Sequence, residues 1–110
     1  MHREIYNNLK EVARKKQLIT YKELAIIVGL DWNKDYGKCR QIFPVLGAVS
    51  TSEVEQGHPM LSAIAVRQDE RMPGPGFFAL ARDLGRYQSG TDYSFWIAER
   101  DAVWDFWSSR

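Results

Sequence analysis

Ile19 to Val49, ITYKELAIIVGLDWNKDYGKCRQIFPVLGAV, is the stretch whose reading decides the fold. Thr20 and Glu23 have the spacing of a capping box, in which the hydroxyl accepts from a first-turn amide and the carboxylate reaches back to the cap amide. A helix therefore starts there, and Gly29 supplies the permissive backbone that ends it. Asp31 can cap a second helix. In that helix Cys39, Ile42, Phe43, Leu46 and Val49 recur at helical steps and share one inward face. Lys34, Lys38, Arg40 and Gln41 mostly fall outside it. Pro44 should kink or divide this helix, because it lacks an amide donor and crowds the preceding turn. The pattern is that of a helix-turn-helix, whose second helix can enter a DNA groove. A helical hairpin that only packs leaves the same signature.

Upstream, Ile5, Leu9, Val12 and Ala13 mark one face of a helix over residues 2–16. Arg14, Lys15 and Lys16 at its end suit the negative pole of the helix dipole, a reading preferred to a phosphate contact. Ile19-Thr20 suits a minor strand. Downstream, Ser50 or Ser52 can cap a further turn that Gly57 ends. MLSAIAV, residues 60–66, is the best candidate for a buried strand. The Pro-Gly alternation over residues 73–76 requires a turn. FFALARDLG then resumes a helical pattern closed by Gly85. The last helix, capped by Asp92 or Ser94, carries Tyr93, Trp96, Ile97, Val103, Trp104 and Trp107 as an aromatic-rich stripe with a gap near Arg100. Such a stripe packs across a core or meets a partner, and packing across the body of the domain is expected ahead of base stacking. Trp32 is expected to be exposed near the turn.

The length of 110 residues suits one domain, and the apolar share of 45% is ordinary for a globular chain. No apolar run approaches the roughly 20 residues that span a bilayer, and the opening MHREIYNNLK lacks the apolar centre of a secretory signal. A single cysteine cannot form an internal disulfide, so a reducing, cytoplasmic setting is expected. Neither zinc nor haem spacing is present. The net charge is only +1, yet residues 1–40 hold nine basic against five acidic side chains, an excess of four. Residues 41–110 hold six basic and nine acidic, a deficit of three. A basic face on the first half could meet phosphate, although the balance is well short of a strongly basic DNA-binding domain, so modest affinity is expected.

The order of ITYKELA, a helix containing KCRQIF, a proline at a strand entry and a Gly-rich turn resembles the C-terminal domain of alkylguanine-DNA alkyltransferases and of the non-enzymatic alkyltransferase-like proteins. The resemblance covers roughly residues 19–76. It implies a winged-helix domain that binds the DNA minor groove and turns a damaged base out of the helix. On that resemblance Tyr21 would press on the target phosphate, and Arg40 is the nearest match to the arginine that fills the space left by the base. The family's Pro-Cys-His-Arg motif falls at Pro59-Met60-Leu61-Ser62, where the match ends. A thioether has no proton to lose and cannot serve as a thiolate acceptor, so methyl transfer is not expected of Met60. Cys39, on the apolar stripe of a helix, is no substitute. No recognition pocket is visibly retained in the sequence. The stretch from Glu53 to Gly85 is also similar to small uncharacterised bacterial and phage domains, with which no activity travels.

Ser62, His58 and Asp69 supply the residue types of a hydrolase triad, but Ser62 has no nucleophile elbow and His58 reads as a loop residue. Asp69-Glu70 reads as a pair of solvated turn acids rather than a metal site. The turn at residues 73–76 lacks the Gly-Lys-Ser/Thr ending of a phosphate loop. These observations lead to an α+β fold: a winged helix-turn-helix with a small β-sheet and an aromatic-rich C-terminal helix. The expected function is a non-catalytic double-stranded DNA-binding module without metal, cofactor or membrane partner. Lys34, Lys38 and Arg40 would make the contacts, with Tyr21 and Lys22 at the approach. The competing expectation is a protein-docking module that binds a larger bacterial or phage enzyme through the turn at residues 73–76 or through Trp96, Trp104 and Trp107.

Overall fold

The computed structural model describes residues 1–110, and the chain runs α1 (His2–Arg14), β1 (Ile19–Thr20), α2 (Tyr21–Ile27), α3 (Tyr36–Cys39), α4 (Ile42–Glu55), a 3₁₀ turn (Leu61–Ile64), β2 (Ala65–Val66), α5 (Pro75–Asp83) and α6 (Asp92–Ser108). It is an α+β arrangement, mostly helical, with one sheet of two very short strands. The strands pair in parallel, Ile19 opposite Ala65 and Thr20 opposite Val66. The pairing is parallel, not the antiparallel hairpin of a wing. No helix is long and apolar enough to cross a membrane.

The core is organised around residues 60–66, all of them buried. The spacing predicts a strand here, but the chain turns through a 3₁₀ helix and extends only for Ala65 and Val66. A continuous apolar run fits either conformation, because both are enclosed on every side. Away from a sheet ladder, the backbone polar groups need other partners. The Ser50 hydroxyl of α4 accepts from the Ser62 amide at 3.0 Å, and the two hydroxyls lie 2.6 Å apart. The Glu99 carboxylate of α6 accepts from the Met60 amide at 2.9 Å. Trp96 donates its indole N–H to the Ala63 carbonyl at 2.8 Å. Polar residues inside otherwise apolar helix faces are thus explained: they complete the hydrogen bonding of the central thread.

Glu99 also takes a bidentate pair from Arg86, with N···O distances of 2.8 and 2.7 Å. A second buried carboxylate, Glu53, accepts from Tyr6 and faces His58 Nδ1, each at 3.2 Å. The gap in the aromatic stripe at Arg100 is filled by the guanidinium itself, which lies over the rings of Trp96 and Trp104 at 5.2 and 4.6 Å. The last helix is capped by Thr91 rather than Asp92, with Ser94 completing a reciprocal box. Trp96 and Trp107 are both buried, but the Trp107 indole N–H has no partner. Trp96→Phe should therefore cost about 1 kcal/mol more than Trp107→Phe, since only the former breaks a hydrogen bond and strands a buried carbonyl. Denaturant unfolding of both variants checks this; equal costs would contradict it.

The capping box at Thr20 forms as expected, with Glu23 and Thr20 each accepting from the other's backbone amide. Gly29, at φ +80°, closes α2: its amide bonds the Ile26 carbonyl and the Leu30 amide bonds that of Ala25. The expected second helix is instead divided in two. Asp31 does not cap a helix; its Oδ1 accepts from the Asn33 and Lys34 amides and holds a tight turn. The break falls at Arg40–Gln41, ahead of Pro44. The proline then sits in the first turn of α4, where its missing amide would have had no helical partner. From there α4 runs unbroken to Glu55, so neither Ser50 nor Ser52 starts a new helix.

Candidate functional site

The parallel register of β1 and β2 has a local result: the residues that follow Thr20 and Val66, namely Tyr21 and Arg67, leave the sheet at the same end. Gly74 receives both. Its amide donates to the Tyr21 hydroxyl at 2.9 Å, and a methyl group placed on its α-carbon would lie 3.5 Å from Arg67 Nε and 3.8 Å from that hydroxyl. Beside this junction opens a groove of about 530 Å³. Tyr21 of α2, Trp32 of the following turn, Tyr36 of α3, Phe43, Leu46 and Gly47 of α4, Ser62 of the central thread, Arg67, and Gly74 to Phe77 with Leu80 of α5 line it. The size falls within the range of about 300–1,000 Å³ typical of ligand sites.

The lining is aromatic and the rings are held edge to face. Tyr21 meets Phe43 at a centroid distance of 5.0 Å, and Trp32 meets Tyr36 at 5.1 Å. Tyr36 and Phe43 remain 50% and 37% exposed, unusual for residues with this much apolar surface. Phe43 thus departs from its expected inward place on the stripe, turned out by the helix break just before it. Trp32 is half-buried in the groove rather than exposed. Burial pushes the Tyr21 phenol above its ordinary pKa, while the Gly74 amide and the Arg67 charge pull it the other way. A smaller hollow of about 370 Å³ adjoins the groove across Tyr21, Trp32 and Arg67, and adds Lys22 and residues 68–70.

Of the residues expected to touch DNA, Tyr21 lines the groove and Lys22 the adjoining hollow. Lys34, Lys38 and Arg40 are exposed. None of these four cations makes an ion pair; the pairs in the molecule all use other residues. Lys22 sits on α2 and Lys38 on α3, whereas Lys34 stands in a turn and Arg40 in the helix break, and Arg40 does not line the groove. Of the tryptophans expected at a partner surface, Trp96 and Trp107 are buried, and half-buried Trp104 donates to the Gln17 carbonyl at 3.0 Å. Their rings serve the interior because α6 lies across α1 and the central thread.

Ser62, His58 and Asp69 are not assembled as a triad: the Ser62 hydroxyl meets Ser50, His58 meets Glu53, and Asp69 lies in an exposed turn. Cys39 is buried, its thiol directed to the Asp31 carbonyl at 3.7 Å. Burial pushes its pKa up, and the nearby Asp35 and Asp31 carboxylates push the same way. At mildly alkaline pH the folded protein should therefore hold it as the unreactive thiol. Labelling with a disulfide reagent is expected only as fast as the chain opens, and prompt stoichiometric labelling of native protein would contradict this.

Sequence reasoning missed Arg67 and the whole α5 wall of the groove. The signals present were Pro75, a residue suited to the first turn of a helix, and the apolar residues Phe77 and Leu80, but nothing local pairs residue 20 with residue 66. No family model, curated protein or solved structure matches this chain.

Proposed function

We propose that the protein is a non-catalytic DNA-binding module. In this reading α2 and the α3–α4 pair act as the helix-turn-helix, and the turn over residues 67–72 stands in for a wing. The observation that carries it is the aromatic groove opening on the same segment that bears Lys22, Lys34, Lys38 and Arg40, all without carboxylate partners. Cations position a phosphate backbone, and aromatic faces stack on a base that has left the helix, each stacked base being worth about 1–3 kcal/mol. Met60, which stands where the resemblance would place a nucleophile, is wholly buried and is a thioether, so the groove would hold a base without altering it.

The test is titration of labelled DNA at two salt concentrations, using a paired duplex, a duplex with one mismatch, and a single strand. Affinity should fall as salt rises, with a slope of about −0.7 to −0.9 per phosphate neutralised. The mismatched and single-stranded forms should bind more tightly than the paired duplex, since their bases cost less to unstack. Absence of binding to all three at low salt would overturn the proposal and leave protein docking through Tyr36 and Phe43 as the better account of the exposed rings.

A further inference from the structure

Arg67 is the one charged side chain that lines the aromatic groove, and it also lines the adjoining hollow. Its partner is Glu70, at 3.1 Å, in the exposed turn that follows β2. The two side chains are 43% and 63% exposed, so water screens the pair and little free energy holds it. Beside Arg67 stands the Tyr21 hydroxyl. It accepts from the Gly74 amide and donates to no protein atom, so its proton points to no acceptor. Both groups reach the same point above Gly74. Two donors therefore converge at one end of an aromatic slot, while the hydroxyl of Ser62, which also lines the groove, is already engaged with Ser50. A ligand that satisfies this arrangement carries a flat ring and an acceptor-rich anion.

We propose that the groove takes one nucleotide unit, with its ring among the aromatic side chains and its phosphate on Arg67, and that Glu70 occupies Arg67 until the phosphate displaces it. The inference rests on the DNA-binding reading and adds to it a phosphate ligand and an internal competitor. Guanidinium meets phosphate in the same forked geometry that it uses for carboxylate, so the exchange replaces one anion by another without moving the backbone. Asp69 is the natural control. It lines the same hollow and carries the same charge, but it makes no ion pair with Arg67.

Fluorescence anisotropy with a labelled single-stranded oligodeoxythymidylate tests the inference at fixed salt. Arg67→Gln should weaken binding roughly tenfold, the loss of a charge-assisted contact. Glu70→Gln should tighten it by up to about fivefold, and by more than Asp69→Asn does. In the Arg67→Gln background, Glu70→Gln should give no more than Asp69→Asn gives. A gain from Glu70→Gln that equals that of Asp69→Asn, or that survives without Arg67, would overturn the competitor role while leaving DNA binding intact. If neither the native chain nor Glu70→Gln binds the oligonucleotide at low salt, this inference falls; the DNA-binding reading falls with it only if the paired and mismatched duplexes go unbound as well.

Discussion

Replacing Glu99 by alanine is expected to destabilise the fold by about 3 kcal/mol or more. The residue is 5% exposed and accepts three hydrogen bonds, one from the Met60 amide and two from Arg86. Its removal leaves a buried amide at the entry to the central thread without an acceptor, and a third-exposed guanidinium that must find water. It also leaves a cavity between α6 and the thread. Glu99→Gln keeps an acceptor for Met60 and should recover part of the loss. Denaturant unfolding of the two variants decides the matter. Should alanine cost under about 1 kcal/mol, the carboxylate is not what fastens the last helix to the core.

A second large effect is expected on binding rather than stability. Reversing three charges together, Lys34→Glu, Lys38→Glu and Arg40→Glu, should lower DNA affinity by on the order of a hundredfold at moderate salt and flatten its salt dependence. The three side chains are exposed and without ion pairs, so the fold should tolerate the change, with unfolding midpoints close to those of the native chain. The neighbouring Asp31 and Asp35 carboxylates bond backbone amides within the same turn. They offset part of the local positive charge, which is why modest affinity is expected. If the triple variant bound as well as the native chain, these cations would not lie on the nucleic-acid face.

What the sequence reveals and what it conceals follow a physical division. The capping box of α2 and the glycine that ends it depend on residues within one turn of each other, and both form as their spacing predicts. The helix break is half legible. Pro44 announces a disruption, but a proline is welcome in a first turn, so the break moves ahead of it to Arg40–Gln41. The central thread is concealed because its apolar run suits a strand equally well. Its conformation is completed by Ser50, Trp96 and Glu99, residues 12 to 39 positions away. The groove is concealed for the same reason. Tyr21 is marked by motif and resemblance, whereas Arg67 and Gly74 join it only through the pairing of Thr20 with Val66. The tryptophans are legible from their spacing. A stripe of large aromatic side chains is expected to pack across the body of the domain, and two of the three are buried while the third is tied to the α1–β1 link; only the alternative reading, a partner surface, loses them.

The central claim is that the groove and the unpaired cations form one surface for nucleic acid. Amide and aromatic NMR shifts recorded during titration with a single-stranded oligonucleotide at low salt test it most directly. The account predicts shifts concentrated on Trp32, Tyr36, Lys38, Phe43, Arg67 and Gly74, with α6 little affected. Shifts confined to α6 and α1, or no shifts at all, would contradict it.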